Sequence, residues 1–257
     1  MAKQILHITD PHLIGEPGAT LHGWRVHDAF ETVLADALAF APNADALVLG
    51  GDLVDDASTM GYRRLNERLA PLTMPVLAIA GNHESPDGMA RELTSTTVHG
   101  RIDLGDWVLT GLNSHRPDSQ AGRLGTTQIA ALARELADDP RPHALFVHHP
   151  GWAIGSAWQD AIGLADRDAL AAVVADAPNA RALVCGHAHQ AGSKSLPGAT
   201  GFLTASTMRQ FKPGATAFTE DHARAPGYRV LTLDSNGHVS STHRRVAAAW
   251  AAFVDAN

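Results

Sequence analysis

Three features of this sequence predict a layered α/β fold. Short, strongly apolar runs alternate with segments of helical periodicity. Each run is followed closely by glycine, aspartate or histidine. The 257 residues suffice for one large domain with a full core. Apolar strands that lack polar alternation are buried on both faces, which implies a largely parallel sheet. Segments that read as hairpins suggest a second sheet packed against it, giving a four-layer α/β/β/α sandwich.

The elements follow in order. QILHIT (4–9) is the first strand, and 26–40 carries apolar residues at helical spacing, among them Val26, Phe30, Val33, Leu34 and Ala37. ALVLGG (46–51) reads as a buried strand, and 58–69 as a helix with Ser58 as its N-cap. PVLAIAG (75–81) is a further strand, and 100–114 a hairpin turning at Gly105-Asp106. Thr126 or Thr127 is expected to cap a helix running to about Ala137. HALFVHH (143–149) and RALVCGH (181–187) are strands on either side of a helix over 166–177. The last part is β again: 199–206, then two strands joined by Ser235-Asn236-Gly237, a favourable hairpin turn. The expected organisation is one domain over 1–244 and an alanine-rich helical tail over 245–257, its helix placed at Arg245 to Val254.

Composition narrows the functional classes. A net charge of −7 without a sustained basic run disfavours polymeric nucleic acid, although a locally positive site would still attract a small phosphate ligand. The single cysteine, Cys185, precludes an intrachain disulfide and fits a reducing compartment. The opening segment MAKQILHITD lacks a long apolar core, and no run approaches the length of a membrane helix. The cytoplasm is therefore the expected location, without a membrane partner. Histidine, with 15 residues, is the compositional anomaly.

The positions of those histidines are informative. In open α/β sheets the ligand site lies beyond the carboxyl ends of the strands. Asp10 and His12 follow the first strand, Asp52 the second, and Asn82 with His83 the third; His148 and His149 end one later strand, and His187 and His189 another. Singly, each has an ordinary explanation: a turn-capping aspartate, a hydrogen-bonded histidine, a polar loop. Five metal-competent strand ends along one sheet edge make coincidence a poor account. Residues two apart on extended backbone point the same way, so Asp10 with His12, and His187 with His189, can each present two side chains to one cavity. The segment LVCGHAHQ thus reads as a metal-binding strand end. Cys185 within it reads as a small buried apolar residue.

The ordered set D-x-H, GGD, GNHE, HHP and GHAH, spanning Asp10 to His189, resembles the calcineurin-like metallophosphoesterase superfamily. TDPHL, GATLHGW and the segment STMRQFKPGATAFTEDHARAPGYRVLTL resemble, within it, bacterial class III 3′,5′-cyclic AMP phosphodiesterases. The resemblance implies two mixed sheets flanked by helices and two metal ions. Asp10, His12, Asp52 and His189 would hold one; Asp52, Asn82, His148 and His187 the other, with Asp52 bridging. It selects His148 over His149, and gives Asn82 and His83 substrate contacts, His83 also protonating the leaving group.

Mixed nitrogen and oxygen ligands without thiolate suit iron or manganese, with zinc or cobalt as further options. Two divalent ions against two carboxylates and a hydroxide leave about one net positive charge, suited to a phosphodiester monoanion. The implied reaction is hydrolysis of 3′,5′-cyclic AMP to 5′-AMP by attack of a metal-bridging hydroxide. The alternative is broader specificity, for 2′,3′-cyclic nucleotides, glycerophosphodiesters or phosphomonoesters. Other residues are less determined. Glu84 is a cap for the segment after GNH, and Asn113, His115 and Arg116 are pocket or loop residues. Arg209, Gln210 and Lys212 are either nucleotide contacts or structural, and His22 and Trp24 lie in a glycine-rich loop that could lid the site. A homo-oligomer is compatible with the sequence.

Overall fold

The computed structural model describes residues 2–254. Its elements are, in order, β1 (Lys3–Ile8), α1 (Val26–Phe40), β2 (Ala46–Leu49), α2 (Thr59–Leu69), β3 (Val76–Ala78) and α3 (Pro86–Glu92). There follow β4 (Thr97–Val98), β5 (Gly100–Asp103), β6 (Val108–Gly111), α4 (Gly125–Asp138), β7 (His143–Phe146) and α5 (Ala157–Asp160). The chain continues through α6 (Arg167–Asp176), β8 (Ala180–Cys185), β9 (Gly192–Ser195), β10 (Thr200–Leu203), β11 (Gly227–Leu233) and β12 (Val239–Arg245), and ends in a 3₁₀ helix over Ala247–Ala252.

Two six-stranded mixed sheets result, ordered β12-β11-β1-β2-β3-β4 and β5-β6-β7-β8-β10-β9. In the first, β1 to β4 run parallel and β11 adds antiparallel to β1. In the second, β6, β7, β8 and β10 run parallel, with β5 and β9 antiparallel at the edges. The expected four layers are therefore present, with a different allocation of strands. The hairpins do not form a sheet of their own; β5–β6 edges one sheet and β11–β12 the other.

The central strands are apolar on both faces because each sheet has a core on both sides. Along β1 and β2, Ile5, Ala46 and Val48 face the space between the sheets, with Leu77, Leu109, Phe146, Val184 and Leu231. Leu6, Ile8, Leu47 and Leu49 turn the other way, onto Phe30, Val33 and Leu34 of α1 and Tyr62 and Leu65 of α2. Leu145 and Leu183 likewise pack on Leu132, Leu136, Leu170 and Val174 of α4 and α6. Side chains alternate faces along a strand, so a strand between two apolar layers is apolar at most positions, with buried His7 of β1 and His143 of β7 as exceptions.

Ser58 caps α2, accepting from the Gly61 N–H at 3.1 Å. The start of α4 differs from the sequence expectation. It begins at Gly125, and the Leu124 and Gly125 N–H groups donate to the carboxylate of Asp166, 41 or more residues away, rather than to a local threonine. The C-terminal segment also differs. Arg245 pairs with Gly227 and so belongs to β12, and the alanines form the 3₁₀ helix, which seats Trp250 on Trp24 at 5.2 Å. Alanine favours helix locally, but the strand pairing claims the first residue of the expected helix. The last three residues of the expected tail lie outside the described ones.

Leu77 is fully buried at the junction of the two sheets. Leu77→Ala is expected to lower unfolding stability by about 2–5 kcal/mol, read from the urea midpoint of the metal-free protein.

Candidate metal centre

The five strand ends carry their side chains to one place, but from two sheets. Asp10, His12, Asp52, Asn82 and His83 follow β1, β2 and β3 of the first sheet; His148, His187 and His189 follow β7 and β8 of the second. The expected edge of one sheet is thus the facing edges of two. The loops after β1 and β2 are joined by backbone hydrogen bonds, Asp10 N to Gly51 O at 3.0 Å and His12 N to Asp52 O at 2.9 Å. Asp10, His12, Asp52, His187 and His189 all adopt left-handed backbone, with φ from 46° to 63°. Such conformations cost free energy in non-glycine residues and persist where surrounding structure enforces them.

At Asp52 the enforcing group is Glu84. Its buried carboxylate accepts from the N–H groups of Asp52, Leu53, Val54 and Gly81, at 2.5–3.0 Å. The expected cap for the segment after GNH instead caps the loop that holds Asp52. Burial and the nearby Asp52 charge push its pKa up to about 7, against these stabilising donors. Gly81 is required by contact, since a Cβ there would collide with the Asp52 carboxylate.

Hydrogen-bond partners fix where the imidazole lone pairs point. His12 Nδ1 lies 2.8 Å from Asp55 Oδ1, which can only accept, so Nε2 carries the lone pair. The Arg209 carbonyl does the same for His189, at 2.9 Å. The two Nε2 atoms then face each other at 3.2 Å, with Asp10 Oδ1 3.3 Å from His189 and Asp52 Oδ2 3.8 Å from His12. Alongside, His148 Nδ1 meets the Gly50 carbonyl at 2.8 Å, which turns Nε2 toward Asp52 Oδ2 at 3.2 Å. His187 Nδ1 is 3.1 Å from Asn82 Oδ1.

Converging acceptors repel unless a cation lies among them. Donor atoms about 2.1 Å from a common divalent ion sit about 3.0–3.4 Å from one another, close to the spacing here. The donor set therefore fits two divalent cations side by side. His149, by contrast, has both ring nitrogens engaged, by Ser114 Oγ at 2.8 Å and the Gln120 carbonyl at 3.0 Å.

Asp55 was not singled out in the sequence. Its carboxylate spans His12 and His83, 2.8 and 3.0 Å from their Nδ1 atoms. Burial disfavours a charged His83, but the Asp55 hydrogen bond and the Asp52 charge outweigh it and raise its pKa to about 9. Nothing in GDLVDD distinguishes Asp55 from Asp56, which instead accepts from Gly15 and Ser58 N–H groups. Only the fold shows which of the two faces the histidines.

The remaining candidates divide. Arg209 lines the pocket above the donors, a cavity of about 150 Å³ with Gln120, Trp158, Phe211 and Phe218 among its walls. Gln210 is buried and holds backbone carbonyls, a structural role. His115 binds the Gly81 carbonyl at 3.0 Å and lines an adjoining groove. Trp24 cannot stack on a ligand, because it is buried against Trp250 and Phe253. Cys185 is buried, its thiol pushed up to about 12 by burial.

Without a cation, burial opposes charge on His148, yet Asp52 and Asp10 raise its pKa to about 10. That value exceeds the ordinary 6.5, so the proton stabilises the metal-free fold at low and neutral pH and is lost as pH rises through about 10. A metal must displace it. Loading at pH 8 is expected to release about one proton, with affinity rising with pH. Calorimetry in buffers of different ionisation enthalpy reads this; buffer-independent heats would contradict it.

Comparisons with known proteins agree with the geometry. The family model described as calcineurin-like phosphoesterase matches residues 3–191. The 3′,5′-cyclic adenosine monophosphate phosphodiesterase CpdA of Pseudomonas aeruginosa is 34% identical over 94% of this chain and 89% of its own length. A probable cyclic nucleotide phosphodiesterase of Synechococcus is 34% identical over 92% and 90%. Among solved structures, a dimetal phosphatase from Danio rerio superposes with a TM-score of 0.63 at 14% identity, over 95% of this chain and 99% of that one. A purple acid phosphatase from yellow lupin gives 0.65 at 12%, over 99% and 53%. These distant structures share the fold alone. The family match and the strand-end donors together lead to one conclusion: the chain belongs to the calcineurin-like phosphoesterases.

Proposed function

We propose that this chain is a dinuclear metal-dependent phosphodiesterase that hydrolyses 3′,5′-cyclic AMP to 5′-AMP. The observation that carries the reading is similarity along nearly the whole chain, at 32–34% identity, to proteins named 3′,5′-cyclic adenosine monophosphate phosphodiesterase. The converging donors supply a chemical basis for it. Asp10, His12, Asp52 and His189 would hold one cation, and Asp52, Asn82, His148 and His187 the other. The facing Nε2 atoms of His12 and His189, and the position of Asp52 between His12 and His148, support that division. Iron or manganese suits this nitrogen and oxygen set, with zinc or cobalt as weaker candidates. A single cysteine, Cys185, is compatible with the cytoplasmic setting included in this reading. No helix among the described residues is long and apolar enough to cross a membrane.

When bound, the two cations would polarise the phosphoryl group and supply a nucleophile at neutral pH. The polypeptide contributes orientation and a proton. Asn82 and His83 stand at the mouth of the donor cluster, where the phosphate would enter. His83, held by Asp55 and about one-third exposed, can pass a proton to the departing alkoxide. An alkoxide is a poor leaving group, so that proton matters most for a ribose ester.

The purified protein, loaded with manganese or iron, is expected to convert cyclic AMP to 5′-AMP. Preference for 2′,3′-cyclic nucleotides or glycerophosphodiesters in a kcat/KM panel would replace this substrate with a broader one. Asp52→Ala is expected to remove bound metal and nearly all turnover. His83→Ala should keep its metal yet lose about 10²–10⁴ in rate on cyclic AMP, and much less on a nitrophenyl ester. Asp55→Asn removes the anion that holds the His83 proton, so the alkaline limb of the pH–rate profile should move to lower pH.

A further inference from the structure

We propose that Trp158, Phe211 and Phe218 form a wall on which the purine base of a nucleotide stacks while its phosphate meets the donor cluster. The inference deepens the proposed function and takes the ligand class from it. The same pocket is lined by metal donors and His83 and by Trp158, Phe211 and Phe218. The three rings contact one another edge to face, with centroids 5.2, 5.3 and 5.3 Å apart. Phe218 is 54% exposed and Trp158 half-buried, so apolar ring surface faces the cavity mouth.

The wall is fastened to the metal floor. Phe211 stacks on His189 at 4.3 Å and 19°, and its N–H donates to the His189 carbonyl at 3.2 Å. A bridge between Phe211 and Glu220, with Lys212 N to Thr219 O at 2.9 Å, closes the loop that carries Phe218. Gly214 N donates to Ser156 Oγ at 3.0 Å, at the start of α5, which carries Trp158. Gln159 of the same helix donates to the Ala188 carbonyl, between the two histidines of GHAH. Arg209, held by Glu220 at 3.2 Å, places its guanidinium 5.3 and 5.6 Å from the Phe211 and Phe218 ring centres. Ring positions are thus set before a ligand arrives, which lowers the ordering cost of binding.

Two buried donors in this wall, Trp158 Nε1 and Arg209 Nε, have no acceptor among the described residues. Both lie beneath the ring surface, which leaves the ring faces and the guanidinium ends as the parts open to a ligand. A three-ring surface favours the larger purine over a pyrimidine, since stacking grows with shared ring area.

The test compares 5′-AMP with ribose 5-phosphate by calorimetry on the manganese-loaded protein, so that the phosphate contribution cancels. The native protein should prefer 5′-AMP by on the order of 10-fold or more. Phe218→Ala and Trp158→Leu should each bring that ratio toward one, and Phe218→Trp should retain it. Circular dichroism and metal content confirm that each variant is folded and loaded. Equal affinities in the native protein, or an unchanged ratio in both truncated variants, overturns the proposal. Cyclic AMP hydrolysis is followed on the same samples. A protein that prefers 5′-AMP yet leaves cyclic AMP intact keeps the stacking wall and loses the proposed reaction.

Discussion

The structure is organised around a repulsion. Two buried carboxylates, Asp10 and Asp52, and two imidazole lone pairs, on His12 and His189, are linked in a chain of contacts of 3.2–3.8 Å, where only a cation makes the arrangement favourable. In the polypeptide alone the His148 proton between Asp52 and Asp10 is a partial substitute, one charge against two. Hydrogen bonds at the far nitrogens prevent the rings from turning away. Asp55, the Gly50 carbonyl and the Arg209 carbonyl each occupy one Nδ1 and aim the opposite nitrogen inward. Affinity for metal is thus prepared by bonds that never touch it.

Such a cluster needs support from more than one direction. Strands of a single sheet deliver side chains along a line, whereas two sheets about 10 Å apart deliver them from both sides of a cavity. Here β1, β2 and β3 supply one half of the donors and β7 and β8 the other. The price is left-handed backbone at five donor positions: bonds between the loops after β1 and β2, with the N–H groups gathered by Glu84, hold Asp10, His12 and Asp52, and the His187 N–H donates to the Asp10 carboxylate. Rigidity is a requirement as well as a consequence: donors free to move apart would relieve the repulsion and lose the cation.

How much of this was legible in the sequence depended on whether the signal was local. Apolar runs identified β1, β2, β3, β7 and β8, and the residues just after them were the ones that converge, because strand end and cavity coincide in this class of fold. Periodicity could not say that these strands belong to two sheets, since a strand buried on both faces looks the same in either. The short α3 and the polar edge strand β9 carry too little apolar periodicity to register. Asp55 and Trp24 mark the same limit at the level of side chains. Asp55 resembles its neighbour Asp56 in sequence and differs only in facing two histidines. Trp24 sits in a glycine-rich loop that reads as a lid for the site, yet Trp250 and Phe253 pack over it and bury it.

The same distinction separates what the family shares from what individual members select. The matched family region ends at residue 191 and contains every donor of the cluster, while the loop bearing Arg209, Phe211 and Phe218 lies beyond it. Distant structures reproduce the fold at 10–14% identity. Relatives at 32–34% identity align over 94–95% of this chain, past residue 191. Chemistry at phosphorus is set by the donors, which act on whatever phosphate is presented to them. Discrimination among phosphates must come from surfaces that touch the rest of the molecule. In this chain that surface is built onto His189 itself, through Phe211 and the Arg209 carbonyl, so the residue that would grip a cation also positions the wall beside it.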